Sequence, residues 1–439
     1  MDIPLLSPEL TWMLIGERMS EGHYLYVDII DDIGPLSAYI YWLIDMAIGR
    51  SWWTYKILAS LVILFQITYI NRLFIAYRAF EDNTYIPALV LIILFHLSFD
   101  FLTLSPALMG TTFIILALGQ LFSLTLLKQE STESVLMVGI FGGIATCFHF
   151  PLAIFLPFLI FTGIMVSGFS FNQLVLSLVG YFQPLVFCGI YFFWIDAFPQ
   201  FISEFILATR ITQIYPHVGY LDLVILLLIP MAFTFGGYFI GTLLKSITVN
   251  QQKQKQLMVL FLIFALLSVL LANHRTPYQM VVILPGMTYF IAQIYIYLEK
   301  RRLINLFFYL FLILVPSVGY FWSLQKIQSG KIYNYAVNEV PPSSQKEKIL
   351  VLGDDISLYQ NATLATPYLN FRLSKRILTN YDDFDKMSQV YLNFKNEKPA
   401  KIFDREGVFQ KLLQHLLPLQ EMYQEEENGI YSLKTNTSY

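Results

Sequence analysis

The sequence predicts an all-α polytopic membrane protein with about ten transmembrane helices and additional interfacial helices, joined to a small C-terminal α/β soluble domain. Three observations predict this class. Of the 439 residues, 56% are hydrophobic and only 13% are charged, which is far more apolar than an ordinary soluble protein. Apolar runs of roughly 17 to 25 residues recur along the first three quarters of the chain. The last 115 residues hold 28 of the 59 charged residues, so they form a part that faces water.

Hydropathy and run length divide the chain into three parts. We predict an extracytoplasmic loop with interfacial helices at 1–52, a transmembrane helical domain at 53–324 and a small extracytoplasmic α/β domain at 325–439. The predicted spans are Trp53–Arg78, Tyr85–Leu104, Ala107–Lys128, Val135–Phe150, Pro151–Val166, Asn172–Ile195, Tyr220–Lys245, Leu257–Ala272, Tyr278–Leu298 and Leu303–Leu324.

Basic residues set the predicted orientation, because short loops rich in Lys and Arg stay on the cytoplasmic side. Three such loops agree, and they place the N-terminal segment and the C-terminal domain outside the cytoplasm. A leading segment of about fifty residues normally needs a helix to deliver it, so we expect a first transmembrane helix to be missing from this sequence; a first span with its N-terminus outside is the alternative. The basic loops contain Arg72 and Arg78, then Lys245, Lys253 and Lys255, then Lys300, Arg301 and Arg302.

The C-terminal domain is predicted to alternate strands and helices. Lys348–Leu352 is a short aliphatic run that ends in a Gly-Asp-Asp turn, as a buried strand does. Helical patterns near Asp383–Phe394 and Val408–Leu417 flank a second strand at Lys401–Phe403, and a last strand is predicted at Ile430–Leu433. This order predicts a minimal α/β sandwich.

The N-terminal segment is predicted to contain two helices on the membrane surface. Ser7 as N-cap, Pro8 at the first helical position and Glu9 in the first turn predict a helix that runs to about Ser20. One apolar stripe on this helix favours the membrane surface over a crossing. Leu36–Ile48 is apolar but too short to span a bilayer.

Two stretches carry a resemblance to a known family. GERMSEGHYLYVDIIDDIGPL, residues 16–36, resembles the first extracytoplasmic loop of the GT-C glycosyltransferases, a superfamily that includes protein O-mannosyltransferases and lipid A aminoarabinose transferases. NHRTPY, residues 273–278, followed by Leu284 and Pro285, is similar to a late extracytoplasmic segment of the same family. The resemblance implies a polytopic enzyme of a bacterial inner membrane that moves a sugar from a polyprenyl-phosphate carrier to an acceptor outside the cytoplasm.

The chain departs from the family pattern at two places. Ser7, Pro8 and Glu9 stand where the commonest bacterial branch has Asp-Glu, whose Asp is the presumed base. The residues 33–36, Ile-Gly-Pro-Leu, replace a Lys-Pro-Pro-Leu whose Lys lies near the lipid phosphate. Either other acids of the loop serve as the base, or the fold is kept while the transfer chemistry is lost.

Sugar transfer from a lipid phosphate requires a carboxylate that accepts the acceptor's proton and cations that stabilise the departing phosphate. We expect both groups to lie outside the cytoplasm and to close on one pocket. An acid pair could also hold a divalent metal, although two carboxylates are a weak metal signature. The candidate catalytic acids are Glu9, Asp28, Asp31 and Asp32, and the candidate lipid-phosphate ligands are Arg210, His217, His274 and Arg275.

Each assignment has a plainer interpretation. Asp31 and Asp32 could cap the turn before Gly34. Glu9 could only favour the start of a helix, and Arg275 could be a charge that reaches up to the membrane interface.

Two other classes compete with the enzyme. A noncatalytic GT-C-fold subunit that anchors an envelope complex would explain the missing Asp and Lys. A secondary transporter would show paired repeats, which the sequence lacks. The predicted partners are a lipid-linked sugar donor, the membrane and an acceptor that is a lipid, glycan or protein, with no nucleic acid among them.

Overall fold

The computed structural model describes residues 5–125, 132–208, 215–243, 248–272, 274–329, 336–338 and 347–434. The chain divides into two compact units. The first unit is formed by Met1–Trp52, Phe192–Gln213 and Gly330–Tyr439, and the second by Trp53–Tyr191 and Ile214–Ser329. The first unit thus joins the N-terminal segment to the C-terminal part of the chain, and it includes Phe192–Gln213, which lies within the range 53–324 predicted as the transmembrane domain.

The second unit consists of apolar helices, which confirms the predicted fold class. Eight helical stretches in the described ranges are long and apolar enough to cross a bilayer. Two further predicted spans form shorter apolar helices, Ile86–Phe95 and Thr132–Phe148. The helices are α3 (Trp52–Ala76), α4 (Ile86–Phe95), α5 (Pro106–Leu124), α6 (Thr132–Phe148), α7 (Phe155–Thr162), α8 (Phe171–Trp194), α10 (Tyr220–Leu243), α11 (Val249–Leu271), α12 (Leu284–Tyr297) and α13 (Arg301–Ser329).

Glycine allows two of these helices to pack backbone against backbone. A Cβ atom on Gly139 would lie 2.0 Å from the carbonyl oxygen of Ser177, and one on Gly143 would lie 2.1 Å from that of Tyr181. Only a residue without a side chain fits at such distances, which is how small residues let membrane helices approach closely. The α6–α8 contact therefore depends on these two positions.

The first unit is built around a five-stranded sheet. Its strand order is β4-β3-β5-β7-β6, with β3 parallel to β4 and β5, and β7 antiparallel to β5 and β6. The strands predicted at residues 348–352, 401–403 and 430–433 are confirmed. The elements are α1 (Ser7–Ser20), α2 (Pro35–Ile48), α9 (Phe198–Gln200), β3 (Lys348–Leu352), β4 (Thr363–Leu364), α14 (Phe371–Leu378), α15 (Phe384–Glu397), β5 (Lys401–Asp404), α16 (Val408–His415), α17 (Leu417–Met422), β6 (Tyr423–Glu427) and β7 (Ile430–Leu433).

All three segments of the first unit contribute to one hydrophobic core. Ile30 from the N-terminal segment and Ala208 from the middle segment are buried in the same cluster as Leu350, Phe394 and Tyr431. Apolar burial is the main stabilising term in folding. The sheet of the C-terminal part therefore completes its core with residues that lie far away in the sequence.

Helix α1 is largely buried against protein, and α2 is one of its neighbours. Trp12 stacks on Tyr41 of α2 with ring centroids 5.8 Å apart, and a Cβ atom on Gly16 would lie 2.6 Å from the Tyr41 carbonyl oxygen. The N-cap is Leu6, and Ser7 is the first helical residue, so the predicted Ser7 cap is wrong by one position.

Two arginines, Arg18 and the partly buried Arg50, attach the N-terminal helices to the rest of the first unit. Arg18 is 1% exposed, and its Nη2 donates to both carboxylate oxygens of Glu397 at 2.7 and 2.9 Å. Arg50 donates to Glu17 at 3.2 Å and to the carbonyl oxygen of Tyr359. Buried guanidinium groups need such partners, because an unpaired buried charge is strongly destabilising.

Candidate functional site

Residues 21–34, which connect α1 to α2, contain three of the candidate acids, and we call them the acid loop. The loop closes around Tyr26, whose hydroxyl donates to the Ile33 carbonyl oxygen at 2.5 Å and whose ring lies 5.1 Å from that of Phe192. Tyr26 has a φ of 68°, a backbone conformation that is uncommon for a bulky residue and that persists only where the surroundings enforce it. The acid loop is therefore a fixed element of the first unit.

Asp31 joins the acid loop to the loop before α14. Its Oδ1 accepts from the Ile33 N–H at 2.9 Å, and its Oδ2 accepts from Asn370 Nδ2 at 3.4 Å. The Ile30 N–H donates to the Pro367 carbonyl oxygen at 2.8 Å, and the Ile30 carbonyl oxygen accepts from the Asn370 N–H at 3.1 Å. Asp31 is 5% exposed. Its carboxylate stabilises the turn before Gly34, in agreement with the plainer interpretation of the sequence.

Asp28 and Glu9 each accept a backbone N–H. Asp28 Oδ2 accepts from Tyr24 at 2.8 Å within an exposed turn. Glu9 Oε2 accepts from the N-cap residue Leu6 at 3.2 Å, and the side chain is buried. Both contacts stabilise a chain reversal or a helix start.

Asp32 is half-buried, and its charge acts on a carboxylate that sequence reasoning missed. That group is Glu204, which is 4% exposed. Burial raises the pKa of Glu204 above its ordinary value; the Ser203 hydrogen bond and the Arg376 charge oppose the rise, and the nearby Asp32 carboxylate adds to it. The Asp32 carboxylate is thus one of the charges that act on Glu204, and the Arg376 guanidinium is the adjacent cation.

The position of Glu204 follows from a local distortion of the helix. Glu204 lies in a π-helical stretch, Phe201–Leu207, and such turns are frequent at functional sites. Its Oε1 accepts from Arg376 Nη2 at 3.3 Å and from the Ser203 hydroxyl at 3.0 Å, whereas its buried Oε2 has no hydrogen-bond partner in the described part of the chain. The available sequence signal was a single acid inside the apolar run FISEFIL.

Three of the predicted phosphate ligands come together in the second unit, and we call His217, His274 and Arg275 the cation group. The two-residue strands β1 (Tyr215–Pro216) and β2 (His274–Arg275) pair in parallel. The imidazole rings of His217 and His274 stack with centroids 6.1 Å apart. The Arg275 guanidinium lies over the Tyr220 ring at 3.5 Å, a favourable cation–π geometry.

The remaining predictions about the site have different outcomes. Arg210 lies outside the described residues. Ile33, at the place of the family's Lys, has a buried side chain, and its carbonyl oxygen is used by Tyr26. Across the described ranges, no group of three or more His, Cys, Asp or Glu is arranged to hold a metal ion.

Fold and composition define an integral membrane protein with many apolar helices and a small appended α/β sheet. A solved structure with this architecture is ArnT from Cupriavidus metallidurans bound to undecaprenyl phosphate, which matches with a TM-score of 0.54 at 12% identity over 99% of this chain and 95% of that one. The same protein in the apo state matches with a TM-score of 0.51 at 11% identity over 94% and 91% of the two chains. The chain therefore has the GT-C fold.

A further match is the archaeal oligosaccharyltransferase AglB from Archaeoglobus fulgidus in complex with an inhibitory peptide and a dolichol-phosphate. It has a TM-score of 0.49 and 10% identity over 99% of this chain and 71% of that chain. No family model matches the sequence, and no curated protein matches it significantly.

Proposed function

We propose that this protein is a membrane glycosyltransferase that moves a sugar from a polyprenyl-phosphate carrier to an acceptor on the extracytoplasmic side of a bacterial inner membrane. The observation that carries the proposal is the match of nearly the whole chain to ArnT, whose structure holds undecaprenyl phosphate. The resemblance of the acid loop to the family's first extracytoplasmic loop supports it independently. In this proposal the first unit, including the C-terminal domain, lies outside the cytoplasm.

The acid loop supplies the general base in this proposal. A positioned carboxylate that accepts the acceptor's proton typically contributes a rate factor of about 10² to 10⁴. Asp32 is the candidate that we favour, since it lies in the acid loop and its charge acts on the buried carboxyl of Glu204. Burial raises the pKa of Glu204 and the Asp32 charge adds to the rise, so both favour a protonated Glu204.

The cation group binds the carrier phosphate in this proposal, together with Arg210. Arginine suits this role because its planar guanidinium matches phosphate oxygens and stays charged at all relevant pH values. The stacking of Arg275 on Tyr220 fixes the orientation of the guanidinium before the lipid arrives. A positioned cation stabilises the charge that develops on the departing phosphate.

Binding and turnover of purified protein test the proposal together. We expect undecaprenyl phosphate to bind more tightly than undecaprenol, which lacks the phosphate. We also expect one member of a panel of polyprenyl-phosphate sugars to release free polyprenyl phosphate. Equal binding of the two lipids would contradict the role of the cation group, and the absence of release from every donor would contradict the transferase.

The alternative is a catalytically inactive GT-C-fold subunit that anchors an envelope complex. The observation that favours it is that the Asp of the family pattern is missing and that Glu9, which remains, caps a helix. This alternative predicts retained binding of undecaprenyl phosphate without release from any donor, and co-purification with a stable partner.

A further inference from the structure

A groove in the surface of the second unit lies between three helices and is open on one side. Its volume is about 160 Å³. Helix α4 lines it with Ile86, Leu89, Val90 and Ile93, α13 lines it with Ile304, Asn305, Phe308 and Phe311, and α12 contributes Tyr295.

Both lining stripes follow helical periodicity. Positions 86, 89, 90 and 93 of α4, and 304, 305, 308 and 311 of α13, lie on one face of their helices, since residues three, four and seven apart do so. Each stripe extends over about 10 Å at 1.5 Å per residue. Apolar side chains of the two helices thus line the groove along the helix direction, as a segment of an extended hydrocarbon chain requires.

The polar groups of α13 lie at one end of this channel. Arg301 is four residues before Asn305 and seven before Phe308, so helical spacing places it on the groove-lining face. Lys300, Arg301 and Arg302 are all exposed, and within the part of the chain that the structure describes no acid forms an ion pair with them. Passing from the start of α13 into the groove, the side chains change from cationic to amide to apolar.

Asn305 is the unexpected member of this series. It is an exposed amide in a helix that is otherwise apolar enough to span a membrane, and it makes no hydrogen bond to any described residue. A polar side chain facing hydrocarbon is costly, and such positions generally mark an interaction site. An amide one turn below a guanidinium matches the ester carbonyls that lie below a lipid phosphate.

We propose that this groove is a binding site for one anionic phospholipid of the adjacent leaflet. The phosphate contacts Arg301 with Arg302 nearby, an ester carbonyl accepts from Asn305, and one acyl chain lies along Phe308, Phe311 and Ile93. The basic-loop rule places this leaflet on the cytoplasmic side. The site is independent of the proposed transfer reaction, because no residue of the acid loop or the cation group takes part.

Acidic residues also lie close in sequence to the groove-lining helices. Glu81 and Asp82 precede α4, and Glu299 precedes the basic run. An ammonium headgroup would be attracted by these acids, whereas an anionic headgroup requires the cations to dominate. Native mass spectrometry of delipidated full-length protein titrated with phosphatidylglycerol or phosphatidylethanolamine separates the two. We expect one retained phosphatidylglycerol with clearly higher affinity; equal or higher affinity for phosphatidylethanolamine would overturn the proposal.

Variants locate the site. We expect Arg301→Ala to lower phosphatidylglycerol affinity about tenfold, because a charge-assisted hydrogen bond is lost. Ile304→Trp fills the groove and should lower affinity for the same lipid without changing any charge. Arg72→Ala is the matched control, since Arg72 is an exposed arginine near the end of α3 that does not line the groove. If Arg301→Ala binds like Arg72→Ala, the lipid is not held here, whether or not Ile304→Trp folds.

Discussion

The acid loop and the cation group are held in place by different means. The acid loop is fixed by contacts to distant parts of the first unit: Ile30 and Asp31 bond to the loop before α14, and Tyr26 packs on Phe192. The cation group depends on two strands of two residues and on ring stacking. The geometry of the acid loop is therefore coupled to the stability of the C-terminal part, whereas substitutions in the cation group should have only local effects.

Breaking the buried Arg18–Glu397 pair is the strongest way to test this coupling. Glu397→Ala leaves the guanidinium of Arg18 buried without its main partner and removes the acceptor of the Thr366 N–H at 2.8 Å. Removing one partner of a buried ion pair typically costs about 3 to 5 kcal/mol. We expect a large drop in melting temperature in detergent, measured by tryptophan fluorescence.

A matched control is available in the same unit. Lys375 and Glu406 form an ion pair at 2.6 Å, but both side chains are exposed. Exposed pairs contribute about 0 to 1 kcal/mol, so Lys375→Ala should change the melting temperature little. Equal effects of the two substitutions would show that the Arg18–Glu397 pair does not hold the unit together.

Two neighbouring acids of the loop should behave differently. Asp31→Ala leaves the Ile33 N–H and the Asn370 amide without their acceptor, at a cost of about 1 to 3 kcal/mol. Asp32→Asn should destabilise less, because Asp32 is only half-buried and the change removes a negative charge near Glu204. Thermal unfolding of both variants under identical conditions measures the contrast, and a larger loss for Asp32→Asn would refute this division of roles.

At the cation group we expect a change in binding with little change in folding. Arg275→Ala removes a charged donor, so the affinity for undecaprenyl phosphate should fall about 10- to 100-fold. Arg275→Lys keeps the charge but loses the planar fork, and it should recover part of the affinity. Lipid titration monitored by tryptophan fluorescence gives both values; unchanged affinity in Arg275→Ala would remove this residue from phosphate binding.

The smallest effect concerns the protonation of Glu204. The pKa of Glu204 is raised in the folded state. Protonation of Glu204 therefore favours folding at pH values below its ordinary pKa of 4.5, and this contribution is lost as the pH rises through the folded pKa. Glu204→Gln mimics the protonated form. The variant should therefore match the wild type near pH 4 and become relatively more stable toward neutral pH. A difference in melting temperature that is constant with pH would exclude this titration.

Much of the fold could be predicted because hydropathy and strand periodicity are local signals. The runs that became α3, α8 and α13 were visible from composition and length, and KILVL was visible as a buried strand. The resemblance of the acid loop also pointed to the correct fold.

The missed features depend on contacts between distant segments. The sequence of helix α1 cannot show that Arg18 meets Glu397. Glu204 looked like an isolated acid, because only the folded chain brings it near Asp32 and Arg376. The positions of Glu397, Asp32 and Arg376 are set by packing in the first unit rather than by any neighbouring residue in the sequence.

The most direct test of the transferase is the rate at which free polyprenyl phosphate is released from a polyprenyl-phosphate sugar. We expect turnover by the wild type, a fall of about 10² to 10⁴ in Asp32→Asn, and near-normal rates for the folded fraction of Asp31→Asn. Wild-type turnover in Asp32→Asn, or no turnover by the wild type with any donor of the panel, would contradict the account.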